Sequence, residues 1–464
     1  MMKKNGLFIA IFLSLLALSC SEDAIKYNKL GDLKIKTTKE ISSSPISIGG
    51  ETLDRDYANY HSYKNDLDFL GAKKVKLQAD WAKTEKTKGV YGWGWLDSII
   101  TDLGQCNIET WLQTSYGNPI YEGGGVANLA GGIPSSKKAL LAWDVWVRQM
   151  ALRYKGKVKV WEIWNEPDWG KEVGVKEYAE LYIRTAEIIR EIIPNATLYA
   201  LALSNPYNTE YTKLFLDELV SRDKVHLLDE ITFHGYILNP STAYERLKPL
   251  KQLISLFDAR IKMHQGEQGC PPTFLKTGAL NSFPWTKVSQ SKWTLRRLLG
   301  DLGNGYQTQY FQIADMNYGK NTATHITGIN TKCLLKTDKN NNVKYTKPWY
   351  YAVRNLISFF DEELKNEEKV KFEVNLDSPY SVYAFNKTAG NQFLSLWFDS
   401  EVPSNTTNFT LIDFKFENLK FKKTVYVDVY TREVYEIPKA SGNYDRNGST
   451  ILNVPVTDYP TIIA

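Results

Sequence analysis

A chain of 464 residues exceeds one ordinary hydrophobic core, so it holds two to three domains, or one large barrel with an accessory domain. Its 57 Lys and Arg against 52 Asp and Glu leave a net charge of +5, too balanced to argue for a nucleic-acid partner. With 13 Trp, 28 Tyr and 19 Phe it is rich in rings of the kind that hold the apolar faces of sugars, although most such rings belong to a core.

The N-terminus reads as a secretory leader: Met1-Met2-Lys3-Lys4, an apolar run from Leu7 to Leu18, then Ser19-Cys20. That run is too short to span a bilayer. Cys20 after Ala17-Leu18-Ser19 resembles a bacterial lipobox, which implies lipidation of Cys20 after cleavage. The following Ser21-Glu22-Asp23 resembles the export signal of Bacteroidetes lipoproteins. The expectation is a signal peptide over 1–20, a polar tether over 21–44, and a location on the outer membrane, at its periplasmic or cell-surface face. Cys106, Cys270 and Cys333 stand at unrelated spacings and indicate neither a disulfide framework nor a zinc site. No metal and no cofactor is expected.

From Pro45 the chain alternates. Strands are expected at 46–49, 74–77 and 109–113, separated by helical segments at 57–70 and 95–103. Pro134-Ser135-Ser136 opens a helix with Leu140, Trp143, Val147 and Met150 on one face, leading into the apolar run Val160 to Trp164 that stops at Asn165-Glu166-Pro167. Because Pro167 donates no ladder hydrogen bond, this fourth strand is expected to end just past Glu166. A helix over 175–192, a strand over 197–203 and a helix over 211–220 follow. Ile231 to His234 reads as the sixth strand, 243–257 as its helix, 260–265 as the seventh strand, 288–302 as a helix and 310–316 as the eighth strand. Pro348 sits at a helix N1 position. Eight alternations point to a (β/α)8 TIM barrel over 45–365. At roughly 31 residues per strand-helix unit, Glu166 and Glu267 stand about three units apart, as the ends of strands four and seven should. After 366 no helical period persists. Short alternating strands near 372–376, 381–385, 393–398 and 424–430 predict a C-terminal β-sandwich over 366–464.

Two carboxylates at strand ends on one barrel face can divide acid and base or nucleophile work, the division that glycosidic cleavage needs. Asn165-Glu166-Pro167, His234-Gly235-Tyr236 and Gly266-Glu267-Gln268-Gly269 resemble the clan A glycoside hydrolases, which are retaining (β/α)8 enzymes. The barrel followed by a small sandwich is most similar to family 39 and its unclassified Bacteroidetes relatives. The resemblance implies a glycosidase of an extracellular oligo- or polysaccharide, with Glu166 as acid/base, Glu267 as nucleophile and Asn165 on the sugar 2-hydroxyl. His234 and Tyr236 would then orient Glu267 or hydrogen-bond the substrate. Further candidate contacts are Glu51, Lys76, Gln78 and Trp81 near strands one and two, Tyr116, Asn118 and Tyr121 after strand three, and Trp285 after strand seven. The chain departs from the clan pattern where an Arg near the end of strand two and a Trp at the end of strand eight are common: it has Lys76, and Ala314-Asp315-Met316-Asn317-Tyr318. A non-catalytic surface glycan-binding protein and a transglycosylase are the competing readings.

Overall fold

A computed structural model describes residues 27–464 apart from 129–130, 171–172, 276–277, 320–327, 368–369, 376–377, 389, 400, 418–420, 422–423, 439–441 and 446–447. The segment expected to be a leader, with Cys20, therefore lies outside the described residues. Eight parallel strands close into a barrel: β1 (Ile46–Gly49), β2 (Lys74–Ala79), β3 (Glu109–Thr114), β4 (Val158–Ile163), β5 (Thr197–Leu203), β6 (Glu230–Phe233), β7 (Lys262–Gln265) and β8 (Gln307–Tyr310). Closure is made by β8 against β1, with Ile46 opposite Thr308 and Ile48 opposite Tyr310.

Strand alternation sorts the side chains into two layers. Val75 and Leu77 of β2, Leu112 of β3, and Trp161 and Ile163 of β4 face outward and join one hydrophobic core with the surrounding helices. Their neighbours in sequence, Lys76, Gln113 and Glu162, turn into the barrel and bond one another there. The inner layer is thus largely polar toward the strands' C-terminal ends, with a small apolar cluster of Trp111, Val160 and Tyr199 beneath.

The helix before β4 (Lys137–Tyr154) starts where Ser136 accepts the Ala139 N–H at 3.1 Å, and it buries Trp143, Trp146, Val147 and Met150. The helix after β7 (Lys287–Gly303) opens with a capping box between Thr286 and Ser289 and is buried along nearly its whole length.

The C-terminal region is a β-sandwich. A seven-stranded sheet runs in the order Asn28–Asp32, Glu433–Glu436, Val425–Asp428, Thr461–Ile463, Gln392–Phe398, Tyr380–Lys387, Leu364–Asn366. It faces a four-stranded sheet of Phe372–Val374, Thr410–Phe416, Gly448–Val456 and Gly442–Asp445. Leu394, Leu396, Phe414, Phe416, Ile451 and Ile463 fill the space between them. Phe385, Phe393, Trp397 and Ile462 belong instead to the barrel's own core cluster.

Two expectations are corrected here. From Asn28 onward the segment expected to be a polar tether is part of the fold: Asn28–Asp32 pairs antiparallel with Glu433–Glu436, and Thr38 and Ile41 are buried. Its polar composition misled because an edge strand needs only main-chain hydrogen bonds and can keep its side chains in water. The eighth strand is Gln307–Tyr310 and not 310–316; Met316–Asn317 pairs only with Ile329–Asn330, outside the barrel. Among the described residues no helix is long and apolar enough to cross a membrane.

Candidate active site

The strands' C-terminal ends open onto a pocket of about 740 Å³. Glu166 reaches it from three residues beyond β4, which ends at Ile163 rather than just past Glu166. The chain turns there through left-handed backbone at Trp164 (φ 68°) and Glu166 (φ 47°), conformations uncommon outside glycine. Main-chain bonds from Trp164 N to Thr114 O (3.0 Å) and Glu166 N to Ala202 O (3.2 Å) hold that turn between β3 and β5. Glu267 comes from two residues beyond β7. Its N–H donates to Gln265 Oε1 at 2.7 Å, while the same amide donates from Nε2 to Glu267 O at 3.0 Å and to His234 O. One side chain at the end of β7 thereby ties together the loops after β6 and β7.

Glu166, His234 and Glu267 each offer a ligand atom within 4.8 Å of the others. His234 Nδ1 lies 2.7 Å from Glu166 Oε1 and 3.7 Å from Glu267 Oε2, so its hydrogen bond goes to Glu166, not to Glu267. Tyr236 donates its hydroxyl to Glu267 Oε1 at 2.8 Å. Two carboxylates and an imidazole are also a donor set that a metal ion can use; here His234 Nδ1 is hydrogen-bonded to Glu166 and Nε2 is buried without a partner among the described residues.

Burial pushes the Glu166 carboxyl above its ordinary value; the His234 hydrogen bond and charge oppose this and Glu267 reinforces it. Burial pulls His234 down, yet Glu267 and Glu166 outweigh it and leave the imidazole above its usual value. Glu51, beside Glu267, is pushed up to about 7 by burial against the opposing Lys76 ammonium.

The structure divides the remaining candidates in two. Glu51, Gln78, Tyr116, Asn165 and Tyr236 line the pocket with the two glutamates. Lys76, Trp81, Asn118, Tyr121 and Trp285 do not, and each has a packing reason. Lys76 lies one layer below the strand ends, with Nζ 2.9 Å from Glu162, 3.2 Å from Glu51 and over the Trp111 ring. Trp81 stacks on Tyr121, and Glu85 accepts from both Trp81 Nε1 and the Tyr121 hydroxyl at 2.5 Å. Asn118 bonds the Glu85 carbonyl at 2.8 Å. Trp285 packs on Phe283 and Trp293 and gives its N–H to Leu280 O.

Several lining residues escaped the sequence reading: Arg55, Trp169, Tyr207, Tyr318 and Lys332. Arg55, from the loop after β1, donates to Gln78 Oε1 at 2.6 Å and lies over Tyr116, bringing a guanidinium to the end of β2 where the sequence itself has none. Trp169, 41% exposed, stands only three residues after Glu166, and an aromatic so close to a strand-end carboxylate was a usable signal. A larger polar groove of about 1260 Å³ lies at the opposite end of the barrel, among Lys73, Glu109, Glu230 and Lys262, and holds neither glutamate.

No known family profile and no curated protein matches the sequence. Solved structures do. A family 39 glycoside hydrolase from the gut symbiont Bacteroides cellulosilyticus WH2 is 16% identical, with a TM-score of 0.60 over 90% of this chain and 80% of that one. A monomeric β-xylosidase from Caulobacter crescentus CB15 is 13% identical, TM-score 0.58, over 94% and 97% of the two chains. A GH30 endoxylanase from Clostridium papyrosolvens C71 is 10% identical, TM-score 0.57, over 94% and 98%. The likeness is one of fold: a TIM barrel with an attached β-sandwich.

Proposed function

We propose that the protein is a retaining glycoside hydrolase acting on an oligo- or polysaccharide, with Glu267 as nucleophile and Glu166 as acid/base. The observation that carries this is the approach of the two carboxylates to within 4.8 Å at the ends of β4 and β7. Retaining pairs sit about 5–5.5 Å apart, whereas inverting pairs need about 6.5–9.5 Å to admit a water. The environments differ in the required sense. Burial favours a protonated Glu166, able to give its proton to the leaving oxygen, while the Tyr236 hydroxyl donates to Glu267 Oε1 and would hold that carboxylate for attack on the anomeric carbon. Glu267 would form a glycosyl ester as the aglycone leaves. Glu166, now ionised, would take a proton from water, which attacks the same carbon and releases Glu267. Asn165, lining the pocket and accepting from Gln113 Nε2 at 3.2 Å, is placed to bond a sugar hydroxyl.

Replacing Glu267 with Ala should abolish hydrolysis of activated aryl glycosides, and added azide should restore turnover as a glycosyl azide of inverted configuration. Undiminished activity in E267A would refute the assignment, and oligosaccharide binding without any product from the native protein would favour a glycan-binding role.

The anchor is a further part of this reading: Cys20 carries lipid, holding the enzyme at the outer membrane. Chain between Cys20 and Tyr27 could span at most ~25 Å at about 3.6 Å per residue, a short leash. Membrane fractionation of C20A-expressing cells tests it, since loss of the anchor should move the protein to the soluble fraction.

A further inference from the structure

Most of the deeply buried lysines in this fold meet an acid. Lys76 has Glu51 and Glu162, Lys292 has Asp458 at 2.5 Å, and Lys347 has Asp315. That is the arrangement expected of a buried ammonium, since removing it from water without a counter-charge is costly. Lys332 breaks the pattern. It is 4% exposed and lines the pocket, yet among the described residues no carboxylate comes within 4 Å of its Nζ and no side chain or carbonyl accepts a hydrogen bond from it. Its contact is the face of the Tyr236 ring, 4.5 Å from the centroid.

The main chain at Lys332 is fixed. Its carbonyl accepts from Tyr310 at 2.7 Å and Gln290 at 3.3 Å, and its N–H donates to Asn330 Oδ1 at 3.2 Å. The ammonium is therefore presented from main chain held by β8 and the helix before it, and is not a loose surface charge. Neither is it built as a counter-ion for Glu267, whose Oε1 is taken by Tyr236 and whose Oε2 faces His234, with Lys332 outside ion-pair distance of both oxygens. Arg55, the pocket's guanidinium, is already engaged by Asp54 at 3.1 Å and by Gln78. Burial draws the Lys332 ammonium down to about 8, with Glu267 opposing, so the group still carries charge at neutral pH.

We propose that Lys332 receives an anionic substituent, a carboxylate or a sulfate ester, carried by the sugar in the pocket. The ammonium supplies three N–H donors, and Tyr236 beneath it links the anion's position to Glu267, so a correctly charged sugar would be registered against the nucleophile. This inference rests on the pocket being a sugar site and specifies which sugars it takes.

The test is ligand-observed NMR titration of the full protein with two series: glucose, glucuronate and glucose 6-sulfate, and galactose, galacturonate and galactose 6-sulfate. In at least one series an anionic member should bind about tenfold tighter than its neutral parent, as a charge-assisted hydrogen bond implies. K332Q should reduce that ratio to near one and K332R should largely keep it, with thermal melting of both variants confirming a folded protein. A uronate-only or sulfate-only preference identifies the anion. Neutral sugars binding as tightly as anionic ones, no binding of any anionic member, or a preference surviving in K332Q would overturn the inference. The outcome is separable from the glycosidase reading: E267A abolishing hydrolysis of neutral aryl glycosides, with no anionic preference, would leave that reading intact and remove this one.

Discussion

The two glutamates have different neighbours, and the difference has kinetic consequences. Burial raises Glu166 while His234 opposes, and on the proposed reading the protonated acid is the form that assists departure. The rate should therefore fall as pH rises past this elevated value. Removing the opposing hydrogen bond in H234A should move the descending limb of the kcat/KM profile to higher pH; an unmoved limb would show that His234 does not tune Glu166. E166A should slow cleavage of substrates with poor leaving groups by about 10²–10⁴-fold, and much less where the leaving group needs no proton, as read from aryl glycosides of graded acidity. Beneath the pair, Lys76 neutralises Glu51 and Glu162. K76M should cost about 3–5 kcal/mol in urea denaturation, because it strands two buried carboxylates. Glu166, His234 and Tyr236 were legible in the sequence because each stands within three residues of an apolar strand's end, and Glu267 because its spacing from Glu166 fits three strand-helix units. Lys332 and Arg55 were not, since irregular loops that carry no period deliver them.

Among elements, the helices were the easier part. Lys137–Tyr154, Val175–Ile192 and Ala243–Phe257 have apolar stripes with a period of 3.6; the first starts right after Ser136, and the other two have the expected bounds. The strands depended on apolar runs, and this served while their outward faces were apolar. It failed at β8, where Gln307-Thr308-Gln309 is polar because Thr308 bonds Asp301 at 2.8 Å and Gln309 reaches Glu51 at 3.4 Å inside the barrel. The apolar residues just after it, Phe311 to Met316, drew the expectation downstream. One cap deserves a measurement of its own. Ser136 starts the helix that leads into β4, and S136A should lower stability by about 1 kcal/mol with little change in kcat, as the lost bond is local to the helix end.

At the scale of the whole molecule, barrel and sandwich share one apolar core. Phe359 and Phe360, at the end of the last barrel helix, contact Phe393 of the sandwich, and Phe360 also meets Phe385. The helix after β7 sends Lys292 to Asp458 and Arg296 to the Glu401 and Asp399 carbonyls. A protein cut after residue 365 would expose those rings, strip Lys292 of its partners and leave Arg296 only Asn239 and Ser241. It should lack a cooperative thermal transition and bind an apolar dye, and a sharp melt like that of the full chain would show the barrel to be independent.

The edge strand Asn28–Asp32 belongs to a sheet whose other six strands all lie after the barrel, so in sequence the barrel interrupts the sandwich. Lys29 and Glu433, joined at 2.7 Å, are 404 residues apart. During synthesis at roughly 5–20 residues per second, that first strand waits about 20–80 s for its partner to leave the ribosome. Its charged, polar sequence suits the wait: an unpaired strand that stays soluble is a poor template for aggregation, and it docks only once the strands beyond the barrel have been made.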